Sequence, residues 1–416
     1  MIVRIELGML ELDLSGMSVS QADVLLHEAI RERERGAFAE MCSLVEATGL
    51  ADRTCACGGE LKVKDRRSRT ISTLGGETAV PVRRLRCGEC GAQHRPLDPF
   101  LPPGRRHTLA VVEAGLYLAT DLSYAKASAG LDKLTGAKIS HGQLQRLAKT
   151  EGDRVDVELH AAADDLYGLG LHPGQVVSRT RDDTLVIAID GGMIPDRSTG
   201  DDFEAKVAVL YGIKAEVSKG RSALVDRVGY AGLEDSVTFA KRVSTLAIRH
   251  GMLSAGRVLA IGDGAGWIRR MVRDFLPDAV YLLDLFHLKK RLRVVLGDEG
   301  DESLLGEVTA ACVAGEPKRA LELLRTYRPP TPERAELHRK LIYYVKTNAL
   351  GIANYVRSDL FGSGAVEKAV DLIVSRRFKG RGMSWLRPGA LGMLKLRMLR
   401  FNGTWEGHWE ERLTAA

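Results

Sequence analysis

The apolar positions of this chain change period several times, and each change predicts a different kind of element. From residue 21 to 48 they recur at helical spacing, with alternating charges in Ile30-Arg31-Glu32-Arg33-Glu34-Arg35, which predicts a solvated amphipathic helix. Between Arg69 and Arg86 apolar and polar residues alternate around Gly75-Gly76, the pattern of a β-hairpin. Helical spacing returns from 109 to 155. There Tyr124 to Leu134 is followed by Thr135-Gly136-Ala137-Lys138-Ile139 and by a second helix opened by Ser140, which forms a capping box with Gln143. Helix, glycine turn and capped helix predict a helix-turn-helix. The polar, punctuated stretch 173–183 marks a boundary.

Beyond it the grammar changes. Thr184 to Ile189 is an apolar run suited to a buried strand, and Ala205 to Ile213 and Ser222 to Tyr230 predict two more. Glu234 to His250 has helical spacing; strand Arg257 to Ile261, helix Trp267 to Phe275, strand Ala279 to Leu283 and a helix from about Leu285 follow. The order βββ, α, β, α, β, α predicts a mixed α/β, RNase H-like domain. Residues 300–360 are helical throughout and rich in Leu, Ala, Glu and Arg, an insertion before the domain resumes at Gly362. The expected organisation is an N-terminal helical segment (1–50), a zinc ribbon (51–106), a helix-turn-helix-like region (107–172), a first catalytic part (184–299), the insertion (300–360), and a C-terminal helix with a basic tail (361–416).

Composition narrows the function classes. The chain has 416 residues, 45% hydrophobic and 27% charged, enough for a sizeable core and two to three domains. It contains no run of eighteen apolar residues, and Met1-Ile2-Val3-Arg4-Ile5-Glu6 lacks a secretory layout, so a cytoplasmic protein without a membrane partner is expected. The net charge of +6 is uneven: residues 61–106 carry eleven Lys/Arg against four acids, and 371–400 carry eight against Asp371 alone. Such blocks suit a polyphosphate partner, because each neutralised phosphate releases counterions. Of six cysteines, Cys55, Cys57, Cys87 and Cys90 form two close pairs flanking the hairpin, the layout of a structural Zn²⁺ site. Cys55-x-Cys57 is a tight knuckle, which leaves His94 as a possible substitute ligand.

Three carboxylates carry candidate chemistry. Asp190 ends the first strand, in Ile189-Asp190-Gly191-Gly192, and Asp263 ends the fourth, in Gly262-Asp263-Gly264. In an RNase H-like sheet those strands are neighbours, so both acids emerge at one edge. Glu367, in a helix start at Gly362-Ser363-Gly364-Ala365-Val366-Glu367, supplies a third. Two Mg²⁺ (or Mn²⁺) ions on hard carboxylate oxygens can activate water and stabilise a leaving oxygen for phosphodiester cleavage. Singly, each acid is as well explained by a turn or a helix dipole; the combination points to a metal site. Gly262-Asp263-Gly264-Ala265-Gly266 lacks the G-x-G-x-x-G spacing of a dinucleotide loop.

The segments Ala188-Ile189-Asp190-Gly191-Gly192 with Pro195 and Phe203-Glu204-Ala205-Lys206-Val207, Gly262-Asp263-Gly264-Ala265, Leu283-Asp284-Leu285-Phe286-His287-Leu288, and Gly362 to Glu367 with Arg376-Arg377-Phe378-Lys379-Gly380-Arg381-Gly382-Met383-Ser384-Trp385 resemble the DDE transposases of bacterial insertion sequences. The likeness is to the ISKra-type group, related to Mutator-like enzymes, and covers about 55–410. It implies that Asp190, Asp263 and Glu367 are the catalytic triad. It further implies that the chain binds double-stranded DNA at transposon ends and target, hydrolyses a strand at the end and transfers the freed 3′-OH, as a dimer or higher oligomer associated with the nucleoid. Asp284-x-x-His287 looks like an additional element of Mutator-like enzymes. His287 either contacts the scissile phosphate or fixes its own helix start through Asp284. Arg376, Arg377, Lys379 and Arg381 are expected to cradle phosphates. Trp385 either stacks on an unpaired base or belongs to the core. On the hairpin, Arg66, Arg67, Arg69, Arg83, Arg84 and Arg86 are expected to meet DNA. Competing readings are another RNase H-like nuclease, such as a junction resolvase, and a DNA-binding protein that has lost cutting.

Overall fold

A computed structural model of the chain describes residues 4–5, 8–51, 53–212, 214–219, 221–224, 226–297, 301–357 and 364–414. The chain divides into two compact units, residues 1–148 with 412–416, and residues 149–411.

In the first unit, helix α1 (Val19–Gly49) starts at a capping box in which the Ser18 hydroxyl accepts from the Gln21 amide and Gln21 Oε1 accepts from the Ser18 amide. Strands β1 (Leu61–Thr73) and β2 (Gly76–Cys87) form a hairpin longer than its alternation suggested, and β3 (Gln93–His94) pairs beside β2. Cys42 of α1 is buried with Ile71, Val80, Val82, Leu97 and Leu101, so α1 covers one face of the hairpin. Three helices follow: α2 (Leu109–Asp121), α3 (Tyr124–Thr135) and α4 (His141–Gly152). Gly136 ends α3 at φ +70°, a left-handed cap that a side chain would strain. The Ser140 hydroxyl accepts from the Gln143 amide as expected, but the Gln143 side chain turns instead to His107, with Nε2 3.3 Å from Nδ1.

The second unit is built on a five-stranded sheet. Helix α5 (Val157–Gly168) precedes β4 (Thr184–Pro195), β5 (Asp202–Tyr211), the small hairpin β6 (Lys214–Ser218) and β7 (Arg221–Leu224), β8 (Val228–Gly232), α6 (Ser236–Arg249), β9 (Arg257–Gly262), α7 (Gly266–Phe275), β10 (Val280–Leu283) and α8 (Leu285–Leu296). The sheet order is β10-β9-β4-β5-β8, with β4, β5 and β8 antiparallel and β9 and β10 parallel to β4. The runs Leu185–Ile189 and Val258–Ile261 therefore lie side by side, as expected. Leu185, Ile187, Ile189, Val258 and Ala260 are buried with Phe239 and Val243 of α6 and Ile268 and Met271 of α7.

Two boundaries differ from expectation. The strand expected over 222–230 is interrupted: Asp226 has φ +61° and its carboxylate binds Arg179 and Arg181, so the chain breaks there and β8 begins at Val228. Ile213 lies outside the described residues. The units divide at 148/149, not at 173–183, because α5 belongs to the sheet's core. Leu159 is buried in it, His160 Nε2 lies 3.2 Å from the Tyr230 hydroxyl, and Tyr167 donates to Ser244.

Helices α9 (Glu302–Val313), α10 (Pro317–Thr326), α11 (Pro332–Thr347) and α12 (Ala349–Ala353) occupy the stretch expected to be a helical insertion. The expected resumption at Gly362-Ser363 lies outside the described residues. From there α13 (Gly364–Val370) runs through a π-helical turn, Asp371–Ser375, into α14 (Arg376–Phe378); α15 (Arg387–Asn402) and α16 (Trp405–Thr414) end the chain. A π turn leaves carbonyls without their usual partners. Here the buried Arg397 guanidinium donates to Ile373 O at 2.8 Å and to Leu372 O. Replacing Arg397 with Leu orphans both carbonyls, and a denaturant melt is expected to show a loss of about 2–4 kcal/mol. A loss below about 0.5 kcal/mol would mean that the π turn needs no such clamp.

Among the described residues no helix is long and apolar enough to cross a membrane.

Candidate metal and nucleic-acid site

The acids of the second unit meet where β4 and β9 part. Ile189 pairs with Gly262, the last matched pair between the two strands, so Asp190 and Asp263 follow it side by side. β4 does not end at Asp190, as the apolar run suggested. It stays paired with β5 to Pro195, because β5 begins at Asp202 and continues the ladder after β9 has turned away. Asp263 Oδ1 accepts from the Ala265 amide at 2.8 Å and Asp190 Oδ1 from the Gly191 amide at 2.8 Å, each fixing a carboxylate against its own backbone.

Gly192 packs closely against the π turn, and Gly191 lies against the Glu204 side chain. A Cβ on Gly192 would lie 3.0 Å from Val374 Cγ1 and 3.1 Å from Val370 Cγ1; one on Gly191 would meet only the movable carboxylate of Glu204. Without side chains there, α13 and the π turn settle directly on β4, which carries Glu367 to the sheet end. Gly192→Val is expected to cost about 1–3 kcal/mol by overpacking. Thermal and denaturant melts check this, and an unchanged stability would show that α13 can yield.

Glu367 does not close a tight triad with the two strand-end aspartates. Among the described residues, the acidic group whose ligand atoms all lie within 4.8 Å of one another is Asp284, His287 and Glu367. Asp284 follows β10, is fully buried, and caps α8 by accepting from the Phe286 and His287 amides at 3.1 and 3.4 Å. Its Oδ2 lies 2.5 Å from His287 Nδ1. His287 thus fixes its helix start through Asp284 and also stands beside Glu367. The Asp284 hydrogen bond and charge raise the His287 pKa, with Asp190 and Asp263 adding to the effect. Burial pushes Asp190 up to about 6; the Gly191 amide and His287 oppose this, and Asp263 and Asp284 reinforce it.

Helix α11 and Asn348 just after it contribute residues that no local sequence pattern marks. Tyr344 of α11 donates to the Asp263 carbonyl at 2.7 Å, and Arg269 donates to Gly264 O and, at 2.9 Å, to Asn348 Oδ1. Gly264, at φ +88°, has no room for a Cβ, which would fall 2.8 Å from both Asn348 Nδ2 and Tyr344 Cε2. Its Gly-Asp-Gly context was the available signal for a tight turn; nothing local marks Tyr344 or Asn348.

In the first unit the four cysteines converge. Their Sγ atoms all lie within 4.8 Å of one another, with Cys55–Cys90 at 3.7 Å and Cys57–Cys87 at 3.5 Å. Thiolates placed tetrahedrally around zinc at the usual Zn–S length sit about 3.8 Å apart, so the spacing fits. His94 is adjacent, Nε2 3.5 Å from Cys55 Sγ, outside the four-sulfur set. Amide donors at Cys90 and, more weakly, Glu89 lower the Cys87 thiol to about 7, toward the thiolate a metal needs.

The sequence pattern of an uncharacterised protein family, UPF0236, matches residues 16–413. The chain belongs to the UPF0236 family. It is also similar to the UPF0236 protein in the vanSb 3′ region of Streptococcus gallolyticus, 24% identical over 355 residues that cover 82% of this chain and 74% of that protein.

The basic residues of this UPF0236 chain separate into two groups. Arg66, Arg67 and Arg86 are exposed on the hairpin, and Arg376, Lys379 and Arg381 are exposed after the π turn, with Arg376 Nε 3.0 Å from Asp371. Others expected to face DNA are engaged within the protein. Arg69 donates to the carbonyls of Leu101, Pro102 and Arg105; Arg84 binds Asp65; Arg83 is held by Glu46, which is 2% exposed. Arg377 and Trp385 are 2% and 6% exposed: Arg377, expected to cradle phosphate, is instead a core residue, and of the two readings of Trp385 the core one holds. The Arg377 guanidinium stacks 4.7 Å from the Trp385 ring, Phe378 packs 4.7 Å from the same ring, and the Trp385 backbone bonds to Pro195 and Arg197. That stack joins the segment after the π turn to the end of β4, so neither side chain is available to a base or a phosphate.

Proposed function

We propose that this chain is a DNA strand-cleaving and strand-joining enzyme, a transposase of the DDE type. The observation that carries the reading is the gathering of Asp190, Asp263, Asp284, His287 and Glu367 from four separate elements at one end of a mixed sheet. The order β10-β9-β4-β5-β8, with a three-stranded antiparallel meander and two parallel strands added beside β4, supports an RNase H-like domain.

The donor chemistry suits a divalent cation, with hard, partly buried carboxylate oxygens and one histidine beside them; the three donors already within 4.8 Å of one another are Asp284, His287 and Glu367 rather than the triad. Asp190, Asp263 and Glu367 would hold Mg²⁺ or Mn²⁺, which when bound supplies Lewis-acid activation of water and charge neutralisation at phosphate. The chain's own contribution is placement. Gly191 and Ala265 amides orient the two aspartates, Asp284 orients His287, and Tyr344 and Arg269 hold the Asp263 loop against the insertion. The four cysteines would hold a structural Zn²⁺, making 51–106 a zinc ribbon. With the helix-glycine turn-helix of α3 and α4, the exposed Arg66, Arg67 and Arg86 then form the surface that binds double-stranded DNA ends. A dimer on DNA, associated with the nucleoid, follows from the need to cut two ends together.

The test is incubation of the full chain with labelled DNA carrying the inverted repeats that flank its gene, with and without Mg²⁺. Metal-dependent nicking at the repeat tip is expected. Binding without nicking would make it a DNA-binding protein, and cleavage confined to branched DNA would make it a resolvase.

A further inference from the structure

Two adjoining cavities beside Asp263 carry positive charge of which only Arg269 is used to hold the Asp263 loop. One, of about 840 Å³, lies between α7, the start of β10 and α12. The other, of about 880 Å³, lies between α7, α8 and α11; the two share Gly266, Arg269, Arg270 and Thr347, so they form one groove. Eight of its lining residues are Lys or Arg and one, Asp278, is acidic.

The charge is patterned by helix geometry. Arg269, Arg270 and Arg273 occupy one face of α7 at spacings of three and four, and Arg339, Lys340 and Lys346 line the groove from α11. The α7 stripe covers five residues, about 6 Å of helix, and the α11 stripe eight, about 10 Å. Tyr343, 68% exposed, stands between Arg339 and Lys346. Solubility alone does not require cations to face a common groove. Among the described residues Arg270 and Lys346 have no ion pair, while Arg273 and Lys340 pair only with exposed or half-buried neighbours, Asp274 and Glu336. Such pairs are worth about 0–1 kcal/mol and exchange readily for phosphate. The groove begins at Gly264, next to Asp263.

We propose that this groove is a track for a nucleic-acid backbone leading to the carboxylates, its phosphates held by the α7 and α11 cations and a base or sugar resting on Tyr343. The proposal rests on the DNA-processing reading above and locates a contact surface that neither basic block of the sequence contains. Single strand and duplex offer the same phosphate chemistry, and the assay separates them.

The experiment measures binding of the full chain to fluorescent duplex and single-stranded DNA of equal length, in Ca²⁺, across a salt series. Three proteins are compared with wild type. The first carries Arg270→Gln, Arg273→Gln, Lys340→Gln and Lys346→Gln. The second is the charge-conserving set Arg270→Lys, Arg273→Lys, Lys340→Arg and Lys346→Arg. The third carries Lys318→Gln, Arg319→Gln, Arg325→Gln and Arg328→Gln, exposed cations of α10 and its exit. The first is expected to lower the slope of log affinity against log salt by about 3–4 on its preferred substrate, and the other two to retain the wild-type slope. The size of the drop on each probe shows which form of DNA the track takes. No drop, or an equal drop in the α10 set, overturns the track. If the track fails while wild type still nicks DNA, the enzyme reading stands; wild type that neither binds nor nicks DNA overturns both.

Discussion

Asp190→Asn and Asp263→Asn are each expected to lower Mg²⁺-dependent nicking of end-labelled DNA by about three orders of magnitude or more. Each substitution conserves volume and removes one charged oxygen donor, so the loss should appear in turnover at saturating DNA and not in DNA affinity. Misfolding would not explain the result. Asp190 sits where burial raises its pKa to about 6, so its ionised form destabilises the metal-free fold. A raised pKa gives stability that is complete below the unfolded value and is lost as pH rises through about 6. At pH 7.5 without divalent cations, Asp190→Asn should therefore melt no lower than wild type, and it should gain less than wild type when Mg²⁺ is added. Asn variants that nick at the wild-type rate would remove these aspartates from the chemistry.

Cys87→Ser is expected to reduce bound zinc from one per chain to well below one, and to expose the hairpin base to proteolysis. Structural zinc contributes on the order of 10 kcal/mol of binding free energy at neutral pH, and little else holds this end. Among the described residues the buried cluster there contains only Leu61, Leu85, Cys55 and Cys87, with Leu50 packed against it. Elemental analysis of the purified chain and limited proteolysis around residues 53–94 read the two effects. His94→Ala serves as the contrast: His94 lies outside the four-sulfur set, so its loss should leave zinc stoichiometry intact. If His94→Ala loses zinc and Cys57→Ser does not, the ligand set is wrong.

Much of the fold was legible because its signals are local. The apolar run from Leu185 to Ile189, the helical spacing of Glu234 to His250 and the paired cysteines each specify their own geometry within a few residues. The adjacency of Asp190 and Asp263 was also legible, since strand kind and order imply which strands pair. Other features were not. Arg376 and Arg377 are adjacent and chemically identical, yet one is exposed and the other buried under Trp385, and only the ring's position decides between them. Arg397 looks like one more member of a basic block until the π turn supplies the carbonyls it binds. Asp284 resembles an ordinary helix cap, which it is, and its place beside Glu367 depends on α13 crossing the sheet.

Hydrophobic period, caps and knuckle spacing belong to neighbours along the chain, so the kinds of element, the hairpin with its four thiols and the two strand-end acids could be read directly from residue order. Burial and partnership belong to residues far apart in that order. Helix α5 joining the sheet's core, Asp284 and His287 meeting Glu367, and three basic residues of α7 facing three of α11 across one groove arise only when distant segments pack, because close packing chooses which of many similar side chains meet.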